Sequence, residues 1–419
     1  MKKRIIGIIA LTLVAVLVVG IIYFEIEPEN TNINYEPADL HKETDTTIRF
    51  NSDGNLKILH IADTHLNYDK HFDASIWVIA EACDVEKPDL VVLTGDNTHP
   101  DEDPEKTKKL INALMNIFES RSIPVAVTFG NHDSEAGPMS RKDIMDYYNT
   151  FSCVITADES VSFKNCATFN IPVLASDSDK VGFNLWVFDS GDYDEDEPRH
   201  YDRVRTEQIE WYKETSAKLK SDNGGEKVNS VVFQHIIVPE IYDVLKKVDS
   251  KQPYAIKHIY NEDEYYMFDP DEVNYGMLNE KPCPGYYNDG QFNALVETGD
   301  VLAMFTGHDH TNAFGVRNQN IDIYTSPMTR YKGLAYTTQY GYRVVEIDEN
   351  DTSTYETRVE RLYDVFDFDY IKVAKDNGDK YSTRIAFELA VKGTVQEGFM
   401  RLYQSVVELI TGRQVTYPD

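Results

Sequence analysis

Between Leu56 and Asn131 the hydrophobic pattern changes period repeatedly, and this alternation limits the fold more than any other feature. LKILHIAD (from Leu56) is a short apolar run, and ASIWVIAEACDVEK (from Ala74) has helical spacing. PDLVVLTGD (from Pro88) is apolar and β-branched again. DPEKTKKLINALMNIFESR (from Asp103) places Leu110, Leu114, Ile117 and Phe118 on one helical face, and IPVAVTFGN (from Ile123) is a third short run. Short apolar runs bounded by turn residues read as buried strands, whereas spacing near 3.6 reads as helix. Strand, helix, strand, helix, strand implies parallel strands joined by right-handed crossovers. Such sheets bind ligands beyond the carboxyl ends of their strands. There the runs end in polar side chains: Asp63 and His65, then Asp96, then Asn131, His132 and Asp133.

The pattern continues with FNLWVFDSGDY as a strand with an acidic end, TEQIEWYKETSAKLK as a helix, and VNSVVFQH and DVLAMFTGHDH as further strands. NIDIYTSP and GYRVVEID are expected as late strands of a second sheet. Between His235 and His308 lies an insert, at about 240–290, rich in Tyr, Asp, Glu and Pro. A connection of that length in a compact domain is usually functional or disordered. The expected division is a main domain over 51–364 and a C-terminal extension over 365–419. The extension contains FMRLYQSVVELITG, with Phe399, Leu402, Tyr403, Val406, Val407 and Ile410 on one helical face and Gly412 as a C-cap.

The N-terminus carries a different signal. After MKKR comes IIGIIALTLVAVLVVGIIYF (Ile5 to Phe24), which has no charged residue. As a helix it is about 30 Å long, the thickness of a bilayer core. A cleaved signal peptide normally has a shorter apolar stretch ending in a small-x-small site, and none stands near the end of this one. Lys2, Lys3 and Arg4 precede the run and Glu25, Glu27 and Glu29 follow it. The positive-inside rule puts residues 1–4 in the cytoplasm and everything after the run outside. The expectation is an uncleaved signal-anchor at 5–24, a polar linker at 25–50, and a main domain on the extracytoplasmic side of the cell membrane.

The formal net charge of the 419-residue chain is -30, and no basic stripe is present, which argues against a nucleic-acid partner. An anionic substrate would then need a local reversal of sign, for which bound cations are the obvious means. The four cysteines, Cys83, Cys153, Cys166 and Cys283, form no CxxC and no zinc-ligand spacing. Cys153 and Cys166 are open to a disulfide or to buried free thiols.

Taken in order, the strand ends read IADTHLN, LTGDNTH, TFGNHD, VFQHI and FTGHDHTN. These blocks resemble the calcineurin-like metallophosphoesterases, whose pattern is D-x-H, G-D-x-x, G-N-H-D/E, H, G-H-x-H. The match runs from about Ile58 to Ile347. DSGDY, EQIEWYKETSAKL, FQHIIVPE and FTGHDHTNAF further resemble a branch related to plant purple acid phosphatase 29 and a yeast phosphatase of dosage-dependent cell-cycle regulation. The resemblance implies an α/β fold: a four-layer α/β/β/α sandwich of two mixed sheets flanked by helices, here with an N-terminal transmembrane helix. It assigns one metal to Asp63, His65 and His310 and the other to Asn131, His235 and His308, with Asp96 bridging. His132 it makes catalytic, near the leaving-group oxygen. Asp133 is then a candidate for orienting an imidazole, with capping of the following helix as the alternative.

The residue types suit the chemistry. A two-metal hydrolase needs hard or borderline ligands and a bridging group between cations about 3.5–4 Å apart. Mixed nitrogen and oxygen donors without thiolate suit Mn, Fe or Zn. His99 stands where purple acid phosphatases carry the iron-binding Tyr of GDxxY, and His65 where they carry Gly, so purple colour should be absent. His99 is a candidate behind the ligands and, as a minor reading, a ligand itself. His60, His71, His200 and His258 read as ordinary, and Asp309 as pointing away from the metals.

The functional expectation is a membrane-anchored binuclear phosphoesterase in which a metal-bridging hydroxide attacks phosphorus in line. Phosphomonoesters are favoured, with phosphodiesters or lipid and cell-envelope pyrophosphates as alternatives. The substrate would be a phosphorylated small molecule or lipid. A binding ectodomain that kept the fold and lost the chemistry is the remaining reading.

Overall fold

The computed structural model describes residues 44–135, 137–155, 163–252, 254–269, 274–332, 335 and 339–411. The expected anchor at 5–24 and most of the linker lie outside these residues. Among the described residues no helix is long and apolar enough to cross a membrane.

The first sheet contains β1 (Asn55–Ile61), β2 (Leu90–Thr94) and β3 (Val125–Thr128) in parallel. Leu59 pairs with Val91 and Leu93 with Val127. The crossovers are α1 (Phe72–Glu86) and α2 (Pro104–Arg121). The second helix starts as its sequence dictates: Asp103 caps it by accepting the Glu105 N–H, and Pro104 occupies the first turn.

Two faces of this sheet alternate as a period of two requires. Leu56, Ile58, Leu90, Val92 and Ala126 face the second sheet. Leu59, Ile61, Val91, Leu93, Val125 and Val127 face the helices. Covered on both sides, the strands read as continuous apolar runs rather than alternating ones.

The second sheet has seven strands: β4 (Phe169–Leu174), β5 (Val181–Phe188), β6 (Ser230–Gln234), β10 (Asn274–Met277), β11 (Val301–Thr306), β12 (Ala313–Asn318) and β13 (Ile321–Thr325). Their order is β10-β12-β13-β11-β6-β5-β4, with β5, β6, β11 and β13 parallel. Phe183, Leu185, Phe233 and Phe305 fill the space between sheets. On the outer face Trp186, Val232 and Met304 pack with α4 (Thr206–Asp222) and α5 (Gln291–Thr298) through Ile209, Tyr212, Phe292 and Leu295. A shorter helix, α3 (Arg141–Tyr148), follows β3 and opens on a Ser140–Asp143 capping box. The result is a mixed α/β sandwich of two mixed sheets with helices on the outside.

GYRVVEID departs from expectation. It forms β14 (Gly341–Asp348) of the first sheet, antiparallel to β1 and next to β15 (Glu356–Arg361). The open side of β1 is the physical reason. β14 supplies Tyr342 and Val344 to the helix-side core and Val345 and Ile347 to the core between sheets.

The insert is not a structureless loop. It builds a small sheet from β7 (Leu245–Val248), β8 (Ile256–Lys257) and β9 (Tyr265–Phe268), and β10 joins the second sheet. Its aromatic rings hold it together: Tyr242 lies 4.0 Å from His258 and 5.1 Å from Tyr266 between ring centroids.

After β15 come α6 (Leu362–Val365), α7 (Phe368–Asp376) and α8 (Lys380–Thr411). Leu362, Phe366, Ile385, Ala386 and Leu389 pack into the helix-side core, and Trp77 Nε1 donates to Ser382 Oγ at 2.9 Å. Of the apolar face expected further along α8, Leu402 is 55% exposed, while Phe399, Tyr403, Val406, Val407, Ile410 and Gly412 lie outside the described side chains.

Candidate metal centre

β1, β2, β3, β6 and β11 end at one edge of the sandwich, and the polar blocks follow each end. The backbone there is bent out of its ordinary range. Asp63 (φ 55), His65 (φ 42), Asp96 (φ 49) and His308 (φ 74) all sit in the left-handed region. For non-glycine residues this conformation is uncommon and is typically held by its surroundings at functional sites.

Glycines let the loops approach. A Cβ on Gly95, itself at φ +98, would fall 2.1 Å from the Gly130 nitrogen, and one on Gly307 would fall 2.6 Å from Asp63 Oδ2. Neither position tolerates a side chain without moving a loop that carries site residues.

Asp63, His65, Asp96 and His310 each offer a donor atom within 4.8 Å of the others, and Asp96, His235 and His308 do the same. Asp96 belongs to both groups. Its Oδ2 lies 3.4 Å from His65 Nε2 and 3.3 Å from His235 Nε2. Asn131 Oδ1 is 3.3 Å from His235 Nε2, and His310 Nε2 is 3.6 Å from Asp63 Oδ1. Two donors each about 2.1 Å from one cation, at tetrahedral to octahedral angles, stand about 3.0–3.4 Å apart. The separations around Asp96 and Asn131 match that spacing; Asp63 Oδ1 stands wider, 3.6 Å from His310 and 3.8 Å from His65, and His65 and His310 are closer at 2.8 Å between Nε2 atoms.

Three atoms decide the fit. Asp63 Oδ1, Asp96 Oδ2 and His308 Nε2 are buried and have no hydrogen-bond partner. Buried polar atoms left unpaired cost free energy. Here they occur in the two groups that share Asp96, among atoms that ligate metals. The donor set therefore fits a pair of divalent or trivalent cations.

The electrostatics agree. Burial pushes the His65 and His308 imidazoles well below 6.5 and His310 to about 4, so these rings are neutral donors. Burial also pushes Asp63 up to about 7, with the Asp96 charge adding to it. Burial opposes ionisation of Asp96 as well, but His235 and His65 hold it well below 3.8. Burial disfavours charge on His235, yet the Asp96 carboxylate lifts it to about 9.

A profile of the calcineurin-like phosphoesterases matches residues 56–312. The chain belongs to the calcineurin-like phosphoesterase family. It is a phosphoric ester hydrolase by that membership. Among relatives, "Probable inactive purple acid phosphatase 14" of Arabidopsis thaliana is 28% identical over 71% of this chain and 77% of its own length. "Probable inactive purple acid phosphatase 29" of the same plant is 27% identical over 64% of this chain and 70% of its own length. "Phosphatase DCR2" of Saccharomyces cerevisiae is 25% identical over 64% of this chain and 46% of its own length.

In this phosphoesterase the residues around the donors have distinct tasks. His235 Nδ1 lies 2.9 Å from the Thr94 carbonyl oxygen, which turns Nε2 inward. His99 stands behind the donors, its Nε2 2.8 Å from His65 Nδ1. His132 donates its backbone N–H to Asp96 Oδ1 at 2.8 Å. Its ring centroid lies 5.4 Å from that of His65 and 5.1 Å from that of His99. His60 is buried between Thr94 and Ser326, away from the donors. Asp309 turns one oxygen to the Cys283 N–H and the other to Asn312 Nδ2. All four cysteines are free thiols.

Asp133 has neither of its expected roles. Among the described residues it makes no hydrogen bond to an imidazole, and Ser140 caps the next helix. Instead it accepts backbone N–H groups from Gly130, Asp96, Asn97 and Thr98. It ties the Asp96 loop to the Asn131 loop.

Three residues escaped sequence reasoning. Glu135 faces His132 Nδ1, Tyr193 contacts both Asn131 and Glu135, and Arg330 donates to the His65 carbonyl at 2.6 Å. Glu135 and Tyr193 stand in blocks already singled out, GNHDSE and DSGDY, so spacing could have flagged them. Arg330 lies in TSPMTR, which carries no such pattern.

Proposed function

We propose that this phosphoesterase is a membrane-anchored, binuclear metal-dependent hydrolase that favours phosphomonoesters. The observation that carries the reading is the set of orphaned buried atoms: Asp63 Oδ1, Asp96 Oδ2 and His308 Nε2. One cation would be held by Asp63, His65 and His310, the other by Asn131, His235 and His308, with Asp96 shared; Mn, Fe or Zn suits the donors. Bound cations there supply Lewis acidity towards phosphoryl oxygens and acidify water.

The chain's own residues do the rest. Asp96 spans both positions and, through Oδ1, fixes the His132 backbone. His132, with its side chain 27% exposed, stands over the donors where a leaving oxygen can be reached. It serves as proton donor to that oxygen. Support for monoesters comes from the walls. Tyr201 lies edge-on to His308, 4.3 Å between centroids, and Tyr193 stacks on Tyr201. Tyr260 and Tyr286 of the 240–290 insert stand beside His200 on the same side. Aromatic walls close to His308 favour a compact terminal phosphate over a diester.

Anchoring rests on the sequence: an uncharged run at 5–24 between MKKR and an acidic flank. It places the catalytic domain outside the cell membrane, where soluble phosphate esters and lipid or envelope pyrophosphates are both within reach. Two relatives are named probable inactive. Against a non-catalytic ectodomain here stands the complete set of seven donor residues together with His132, since lost chemistry leaves gaps in the ligands first.

The test uses the full-length protein, purified in detergent without chelator. Metal per chain and hydrolysis of p-nitrophenyl and bis-p-nitrophenyl phosphate are measured, with Asp96→Asn as control. About two metals per chain, preference for the monoester and loss of metal in the variant are expected. A folded protein that takes up no metal on reconstitution sinks the hydrolase and leaves the binding ectodomain.

A further inference from the structure

Glu135 reaches neither cation position, yet it contacts the proton donor. Its Oε2 faces Nδ1 of His132. Its Oε1 accepts from the Tyr193 hydroxyl at 3.2 Å, and that hydroxyl accepts from Asn131 Nδ2 at 3.1 Å. The second contact turns Asn131 Oδ1 toward His235. Tyr193 is itself held by stacking on Tyr201, 5.7 Å between centroids. An exposed ion pair on its own contributes little, and the Glu135 side chain is 44% exposed. This one differs because Tyr193 ties it to a ligand and because its imidazole lies against His65 and His99.

We propose that Glu135, braced by Tyr193, positions His132 for proton delivery to the leaving oxygen. The inference rests on the hydrolase reading above. A carboxylate on Nδ1 fixes the ring so that the Nε2 edge is left for the substrate. When the P–O ester bond breaks, its electron pair stays on the leaving oxygen. That oxygen takes the proton from Nε2, and the ring keeps the Nδ1 proton directed at Glu135. Glu135 acts through His132 and is a positioning residue.

The leaving group gives the test. Phenol has a pKa of about 10, like a tyrosine side chain, and departs poorly without a proton. The nitro-substituted phenoxide departs readily without one. Wild type, Glu135→Ala, Glu135→Gln and Tyr193→Phe are compared, full-length and metal-loaded, for kcat on phenyl phosphate and p-nitrophenyl phosphate and for metal per chain. Glu135→Ala should lower kcat on phenyl phosphate about 10–100-fold, and by a clearly larger factor than on the nitro ester. Glu135→Gln, whose amide oxygen can still accept from Nδ1, should recover part of the loss. Tyr193→Phe should shift the ratio in the same direction by less. Metal content should match wild type in the Glu135 variants.

Equal losses on both esters, no loss on either, or loss of metal from Glu135→Ala would each overturn the proposal. A wild type without metal or hydrolysis would instead overturn the hydrolase reading. An active wild type with unaltered leaving-group preference in the variants would overturn only the role of Glu135.

Discussion

Replacing Asp133 by Asn should damage this protein almost as much as replacing it by Ala. Oδ2 accepts the Asp96 N–H at 2.7 Å and the Gly130 N–H at 2.8 Å. Oδ1 accepts the Asn97 N–H at 2.9 Å and the Thr98 N–H at 3.2 Å. Each oxygen thus serves two donors, and the residue is buried. An Asn side chain keeps one oxygen and must turn its NH2 against the other two donors. Two hydrogen bonds to a charged acceptor are lost, at about 1.5–3 kcal/mol each, or about 3–6 kcal/mol together. Ala leaves all four donors unpaired, but it also leaves room for water, so its excess over Asn should be at most about 2 kcal/mol. The assay is urea unfolding of the chelator-treated full-length protein, with stability from linear extrapolation at matched slopes. Metal content of the loaded variants should fall too, because Asp96 and Gly130 lose their tether. If Asp133 were a helix cap, Asn would replace it within a few tenths of a kcal/mol. A variant Asp133→Asn within about 1 kcal/mol of wild type refutes the reasoning.

Two other consequences are open to measurement. His132→Ala should keep its metal yet lose turnover by a factor on the order of 10²; loss of metal from a folded variant would show His132 to be a ligand instead. The gap in Tm between metal-loaded and chelator-treated protein should widen with pH. His235 is lifted to about 9 by Asp96 against the effect of burial, so its proton stabilises the metal-free fold below 6.5, and that stability is lost as pH rises through about 9. Burial raises Asp63 to about 7, so its stabilising proton is lost between 3.8 and about 7. Cations require both groups deprotonated, and a gap that stays constant or narrows with rising pH would contradict the assignment.

The parallel core of the first sheet was legible because helices and strands alternate there with unambiguous periods, and because each strand end carries a polar block. The candidate donors were legible for the same reason: Asp63, Asp96, Asn131, His235 and His308 follow directly from strands whose ends must coincide. GYRVVEID was misplaced because an antiparallel strand that returns to an open sheet edge leaves no local trace of its partner. The strands inside the insert left no readable pattern because they are four residues or fewer. They are held by ring contacts rather than by an apolar run. Asp133 was read as orienting an imidazole or capping the following helix. Its four donors come from two loops separated by more than thirty residues, a closure that no local pattern encodes.

Strain and charge in this centre have one common cause. Asp63, His65, Asp96 and His308 all adopt left-handed backbone, at about 1–3 kcal/mol each. The glycine contacts at 95, 130 and 307 forbid the side chains that would relax the loops, and Asp133 and Arg330 tie them down. Such a cage would be a liability if it only enclosed Asp63 and Asp96. Burial of two carboxylates at one point is unfavourable unless positive charge joins them, and the chain as a whole is acidic. His235 meets part of that demand with a proton facing Asp96, but Asp63 Oδ1, Asp96 Oδ2 and His308 Nε2 have no hydrogen-bond partner. Cations at these positions would satisfy the orphaned atoms, replace the proton on His235, and turn a negative pocket into one that accepts phosphate. The same step accounts for how an acidic protein can bind an anion without a basic surface.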